Sequence, residues 1–293
     1  MTAVLDIAGL RLQLRVGRAL LPILRGIDLT IGRGEVHGLV GESGAGKSMI
    51  GRAVLGVQPA NAVVSASRLR FLDRDLLAFD DRQRRRELAG KLTMIPQEPM
   101  TALNPVQPIF RQLAAVLRLH LGLRGGAARR RAITMLEQVK LRDPERVLRQ
   151  YPHELSGGMR QRVLIAMAFA AEPPLVVADE PTTALDVTVQ RDILRLIVEL
   201  QRSAGTALLF VTHDLGVVAK LCERVTIVHA GRVLESGPVA QIFSAPQHDY
   251  TRALLAATPR WDRPAEALHP VPPALAARLQ AEAAAEDRAA DHA

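Results

Sequence analysis

Cysteine is nearly absent: Cys222 stands alone in 293 residues. One thiol cannot close an intramolecular disulfide and suits a reducing compartment, so a buried, inert side chain is the expected state. Aromatic residues make up only 3% of the chain, and none precedes Phe71. Long apolar runs are missing as well. The longest, Val163 to Ala171, is roughly half of the ~18 residues that a membrane span needs. The opening Met1-Thr2-Ala3-Val4-Leu5-Asp6 has no basic segment followed by an apolar one, so no signal peptide is expected.

What is present is the composition of a globular protein, 48% hydrophobic and 23% charged, long enough for one large domain and a smaller lobe. The net charge is +8, nearly all of it arginine, clustered at Arg82 to Arg86 and Arg129 to Arg131. Both clusters fall in helical patterns and are expected to form solvated faces, with attraction to a membrane surface or an acidic partner as the alternative. No aromatic is interleaved with either, which opposes stacking on single-stranded nucleic acid.

The most informative stretch is Gly41-Glu42-Ser43-Gly44-Ala45-Gly46-Lys47-Ser48. It fits G-x-x-x-x-G-K-[ST], a loop whose backbone N–H groups cradle nucleotide phosphates. Val36, Leu39 and Val40 read as a buried strand before it, and Met49 to Leu55 as a helix after it. A phosphate would then meet unpaired N–H groups and the positive end of a helix dipole. Glycine permits close approach and positive φ. Lys47 supplies a point charge to the β/γ-phosphates, and Ser48 a hydroxyl to Mg²⁺.

Elsewhere, Leu10 to Val16 and Ile27 to Ile31 alternate as half-buried strands. Arg68 to Leu72 reads as a strand, Asp80-Asp81 as a helix cap, and Leu92 to Ile95 as a short buried strand. From Glu98, three prolines and then helical patterns (Ile109 to Leu121, Ala127 to Val139, Pro144 to Gln150) describe a helical lobe inserted into an α/β core. Ser156 caps a helix from Gly157 to Ala171. The apolar strand Leu175 to Ala178 closes on Asp179-Glu180, followed by a helix (Val187 to Ser203), a strand (Ala207 to Val211), Thr212-His213 and a further helix through Leu221. Two short strands flank Ala230-Gly231. Strands alternating with helices predict a parallel sheet with right-handed crossovers.

Asp179 and Glu180 end their strand far downstream of the phosphate loop, yet both elements belong at the carboxyl edge of one parallel sheet. There the first acid helps hold Mg²⁺ and the second can deprotonate an attacking water.

Further motifs narrow the class. Leu155-Ser156-Gly157-Gly158-Met159-Arg160-Gln161-Arg162 resembles the signature segment of ABC-type ATPases, and Asp179 to Asp186 resembles their magnesium-acid strand and following loop. Gln97 and His213 fall where that family places its glutamine loop and switch histidine. Pro96 to Pro105 and His248 to Leu255 resemble the dipeptide/oligopeptide/nickel importer branch. The resemblance implies an α/β P-loop NTPase core with a mostly parallel sheet, an antiparallel β subdomain and an inserted helical lobe. The ATPase domain would cover 1–257, with the lobe at about 98–158, and 258–293 would form a flexible or partly helical tail.

The implied activity is ATP hydrolysis with Mg²⁺, coupled to uptake of di- or oligopeptides, with nickel or another small solute as the alternative. Lys47 and the loop Gly41, Glu42, Ser43, Gly44, Ala45 and Gly46 bind phosphate. Ser48 and Asp179 hold Mg²⁺, assisted by Gln97; Glu180 is the base, and His213 contacts the γ-phosphate. Ser156, Gly157 and Gly158 close over the nucleotide of a facing ATPase subunit, identical or paralogous, with Asp186 at the seam. Two transmembrane permease subunits and a solute-binding protein complete the expected assembly, at the cytoplasmic face of a bacterial inner membrane.

Three departures matter. The family's adenine-stacking aromatic is absent, leaving Leu20, Leu21 or Ile23 as aliphatic substitutes and base selectivity open. Met159 replaces the usual glutamine. The tail lacks the cysteine cluster that some relatives use for an iron–sulfur centre. A soluble ABC-type ATPase acting on nucleic acid or ribosomes is the competing class. The chain has neither the long coiled coil nor the second phosphate loop of such proteins, and no nucleic-acid partner is expected.

Overall fold

A computed structural model describes residues 3–183, 185–258 and 271–291. Ala184 and the proline-rich start of the tail lie outside the described residues. The chain divides into two compact units, residues 1–86 with 209–293, and residues 87–208.

The first unit opens with two long strands, β1 (Ala3–Val16) and β2 (Ala19–Gly32). They pair antiparallel from Ala3↔Gly32 to Val16↔Ala19, interrupted by register shifts. Alternation puts Leu5, Ile7, Leu10 and Leu12 of β1, and Ile27, Leu29 and Ile31 of β2, in the core. Each such burial stabilises by roughly 1.5–3 kcal/mol relative to exposure. Pro22 is tolerated because β2 lies at the sheet edge in the order β2-β1-β5-β6, with β4 also paired to β1. Those strands are β4 (Ala62–Ser65), β5 (Arg68–Phe71) and β6 (Arg74–Asp75).

Between them run β3 (Val36–Val40), buried throughout, and α1 (Lys47–Leu55), followed by α2 (Asp81–Leu88). Asp80 caps α2 by accepting the Gln83 N–H at 2.7 Å. The expected solvated arginine face over 82–86 holds at Arg82, Arg85 and Arg86, which are exposed, and is corrected at Arg84 alone. Arg84, only 7% exposed, donates to the Ala53 carbonyl, and Arg85 to the Gly56 carbonyl. Both sit where α1 ends, so cations meet the negative end of its dipole.

The second unit contains β7 (Leu92–Ile95), α3 (Pro99–Ala102), α4 (Ile109–Leu121), α5 (Gly125–Gln138), α6 (Pro144–Arg149), α7 (Gly157–Phe169), β8 (Leu175–Asp179) and α8 (Val187–Ala204). β7 and β8 pair parallel, Leu92↔Leu175 through Ile95↔Ala178. Ile109, Leu113 and Leu117 repeat every fourth residue and bury one face of α4. In the cluster Arg129 to Arg131, Arg130 is exposed, Arg129 pairs with Glu145 at the surface, and only Arg131 turns inward to donate to the Ala170 carbonyl.

The division between units falls within β9 (Ala207–Thr212). The chain continues in the first unit with α9 (Leu215–Leu221), β10 (Arg224–His229), β11 (Arg232–Pro238), α10 (Val239–Ser244), α11 (Asp249–Ala256) and α12 (Pro273–Asp291). β10 runs parallel to β3, as the βαβ pattern requires, and antiparallel to β11. Cys222 is buried, with burial and Glu223 pushing its thiol up to about 12. The expected inert state follows.

Candidate active site

In the first unit, β3 delivers the chain to Gly41 and α1 begins at Lys47. Gly44 and Gly46 adopt φ of 82° and 95°, in the left-handed region that glycine enters without a Cβ penalty. No side chain caps α1; the N-cap is Gly46 itself. The start of α1 is thus shaped by backbone, as suits an anion. Lys47 is buried, and its ammonium donates to the Gly41 and Glu42 carbonyls, each at 2.8 Å. The charge is thus fixed over the loop instead of extended into solvent. Ser43 and Gly44 are exposed at the loop tip. His213, also exposed, follows β9, and the next residue, Asp214, caps α9 by accepting the Gly216 and Val217 N–H groups at 2.8 and 3.1 Å.

In the second unit the parallel register decides the geometry. Because Ile95 stands level with Ala178, continuing both strands by two residues sets Gln97 level with Glu180. The Gln97 amide donates to the Glu180 carboxylate at 3.1 Å. A second donor, the Thr183 hydroxyl, reaches the same oxygen at 3.0 Å. Glu180 has φ 43°, uncommon for a residue with a Cβ and characteristic of positions where function dictates conformation. Asp179, only 1% exposed, is the last residue of β8. Thr183 is a site residue that the sequence did not announce, since its partner becomes evident only with the turn after Glu180.

Ser156 caps α7 as expected, its hydroxyl accepting the Met159 N–H at 3.3 Å. Asp186 caps α8 in the same way, through Val189 N–H at 2.9 Å. The two caps belong to one patch. A Cβ on Gly158 would come within 3.0 Å of Val189 Cγ1, and one on Gly157 within 3.7 Å of Leu185 Cδ2. Glycine at 158 lets the start of α7 approach α8 closely.

The expected site residues thus fall in two groups. Gly41 to Ser48 and His213 belong to the first unit; Gln97, Ser156 to Gly158, Asp179, Glu180 and Asp186 belong to the second. Ser48 in the first unit, and Asp179 and Gln97 in the second, carry hydroxyl, carboxylate and amide oxygens, the kind of hard donor that Mg²⁺ takes.

Comparison with known proteins shows the family to which the chain belongs. The ABC transporter family profile matches residues 24–183, and that of the oligopeptide/dipeptide transporter C-terminal region matches 234–284. The peptidoglycan transport ATP-binding protein YejF of Agrobacterium fabrum is 50% identical over 232 residues, 79% of this chain and 42% of that protein. The chain therefore spans less than half of that relative's length. The probable D,D-dipeptide transport ATP-binding protein DdpD of Escherichia coli is 44% identical over 270 residues, 92% of this chain and 82% of that one. A dimeric ATP-binding cassette in a post-hydrolysis state, bound to ADP and Pi, superimposes with a TM-score of 0.68 at 26% identity, covering 80% of this chain and 98% of that chain. With the phosphate loop, the signature cap and the strand-end acids in place, the chain belongs to the ABC transporter family, among the ATP-binding proteins of its oligopeptide/dipeptide branch.

Proposed function

We propose that the chain is the ATP-hydrolysing subunit of an importer for di- or oligopeptides, seated at the cytoplasmic face of a bacterial inner membrane. It would work beside a second ATPase subunit, two permease chains and a solute-binding protein. The observation that carries the reading is Gln97 donating to Glu180 at the ends of two parallel strands. It holds a carboxylate ready to take a proton from water, on a segment that leads directly into the helical lobe.

In this reading Lys47 and the loop amides neutralise phosphate charge while Ser48, Asp179 and Gln97 supply the ligands for Mg²⁺. The ion held there would offset the negative charge that develops on the phosphate oxygens. Glu180 orients the attacking water and accepts its proton. His213 contacts the γ-phosphate. Ser156, Gly157 and Gly158 present the start of α7 to the nucleotide of the facing subunit, with Asp186 at the seam; the dimeric ADP-bound cassette supports such an arrangement. The ATPase domain takes residues 1–257, with 258–293 as a C-terminal tail. Leu20 and Leu21, exposed on β2 near its start, offer an aliphatic platform in place of an aromatic for the base.

The test is genetic and biochemical together. A strain lacking the gene should fail to take up a labelled dipeptide, and the native gene but not Glu180→Gln should restore uptake. Unchanged uptake in the deletion strain refutes the peptide assignment. Purified chain that releases no phosphate from Mg-ATP, alone or with its partners, refutes the ATPase assignment.

A further inference from the structure

A turn that nucleotide chemistry does not use stands directly behind the phosphate loop. It joins β10 to β11 at Ala230 and Gly231, whose φ values are 47° and 74°. Several contacts press it to the loop. The Gly231 N–H donates to the Ala45 carbonyl at 3.1 Å. A Cβ on Gly41 would lie 2.0 Å from the Val228 carbonyl oxygen, so the loop backbone runs flush against the end of β10. His229, buried, holds Nδ1 at 3.6 Å from the Glu42 carboxylate, and burial lowers its pKa. Tyr250 of α11, fully buried, sets its ring 4.6 Å from the His229 ring and faces Glu42 as well.

The other side of the turn is fixed from β2 and α12. The Arg25 N–H donates to the Gly231 carbonyl at 2.8 Å. The Arg25 guanidinium donates through Nη1 to the Ala230 carbonyl at 2.6 Å, and through Nε to both carboxylate oxygens of Asp287 at 2.9 and 3.1 Å. Asp287 lies on α12, which buries Leu279 and Ala283 and makes a second ion pair, Glu286 with Arg232, just past the turn. Arg25 and Asp287 are both largely shielded from solvent, so their charges are weakly screened and the guanidinium fork is held in one orientation.

We infer that α12 is a brace for the phosphate loop: Asp287 orients Arg25, Arg25 pins the Ala230–Gly231 turn, and the turn sets the position of the loop from Gly41 to Ala45. Asp287 and Arg25 are positioning residues in this scheme. A turn with an alanine at positive φ persists only while its surroundings over-determine it. Without Asp287 the guanidinium is free to rotate away from the Ala230 carbonyl, and the loop loses a rigid backing. α12, which begins within the segment matched by the transporter C-terminal region and runs past its end, thereby acquires a role in nucleotide affinity. The affinity argument rests on reading Gly41 to Ser48 as the nucleotide site; the mechanical argument does not.

The full-length chain carrying Asp287→Ala tests both. Its affinity for a fluorescent ATP analogue should fall about three- to tenfold, the range in which residues outside a site modulate it. Turnover at saturating ATP should stay within about twofold of wild type, since no reacting group has moved. Amide exchange in the peptide spanning residues 41–47, measured without nucleotide, should quicken. Asp287→Glu should keep wild-type values. Arg25→Lys keeps the charge but lacks the fork, and should reproduce the Asp287→Ala effects even where that variant proves too unstable to purify. Unchanged exchange at 41–47 in Arg25→Lys and Asp287→Ala overturns the brace, whatever happens to the melting temperature. Failure of Lys47→Ala to weaken nucleotide binding would instead overturn the reading of the loop, and the nucleotide-free exchange would still decide the brace.

Discussion

Replacing Glu180 by glutamine removes a proton acceptor and almost nothing else. The native carboxylate accepts from Gln97 Nε2 and Thr183 Oγ1 through a single oxygen. A glutamine in the same rotamer can offer its amide oxygen to both donors. The backbone cost at φ 43° is shared by the two residues and cancels. Stability should therefore change by less than about 1 kcal/mol, the scale of one ordinary hydrogen bond. General-base assistance is worth about 10²–10⁴-fold, or roughly 3–5 kcal/mol of barrier at 1.36 kcal/mol per tenfold. Steady-state phosphate release should fall by that factor while the dissociation constant for Mg-ATP stays within about threefold, because ground-state phosphate contacts belong to the loop. Both are measured on one preparation, with thermal unfolding as the control. Turnover within threefold of wild type would remove Glu180 from the chemistry and leave its strained conformation without a purpose.

Other consequences follow from the same geometry. Gly41→Ala should abolish nucleotide binding, since its Cβ would meet the Val228 carbonyl oxygen at 2.0 Å, whereas Gly44→Ala has nothing within 4 Å and costs only the φ of 82°, roughly 1–2 kcal/mol; equal affinity losses in a titration would contradict the distinction. Ser156→Ala removes the cap on α7 and should lower stability by about 1 kcal/mol in chemical denaturation, with a larger loss of ATPase activity than that figure implies if the hydroxyl also serves a facing subunit. Met100 is 65% exposed and Leu103 only 2%, so a maleimide should label Met100→Cys within minutes and leave Leu103→Cys unlabelled; a nucleotide-sensitive cross-link to a permease is expected at position 100 alone. The Cys222 thiol ionises at about 12 in the folded chain against an ordinary value of 9.0; the folded state prefers the protonated form, so this contribution is complete below pH 9 and disappears as pH rises through 12, which urea titrations across that window should show as falling stability.

The elements were legible wherever local chemistry had one outcome. Ser156 and Asp186 cap helices because a short oxygen before an apolar run has few other uses, and the strand at Leu175 is apolar enough to be buried on both faces. The phosphate loop was legible because its glycines and lysine admit no common alternative at that spacing. Boundaries moved by a few residues: β1 begins at Ala3, well before the alternating stretch at Leu10, and continues through register shifts that break the period. What was not legible depends on residues distant in sequence. Thr183 joins Glu180 only after the turn forms, and the Arg25–Asp287 pair spans 262 positions. Nothing local to Arg25 distinguishes it from the chain's other arginines.

That last point also bears on the arginine content of the chain. A surplus of arginine invites a polyanionic partner, but many of these guanidiniums are already engaged with backbone carbonyls at element ends. Arg84 and Arg85 serve Ala53 and Gly56 after α1; Arg131 serves Ala170 after α7; Arg160 and Arg162 serve Pro152 and Val139; Arg25 serves Ala230. The planar fork suits this task, because one side chain can satisfy a carbonyl and still meet a carboxylate, as Arg25 does. Lysine offers a single nitrogen and no such geometry. Part of the positive charge therefore reports how helix and strand ends are closed. Replacing Arg84 by glutamine should therefore destabilise the first unit, by about 1–3 kcal/mol for a buried charge-assisted bond, whereas neutralising the exposed Arg82 should leave stability within about 0.5 kcal/mol of wild type.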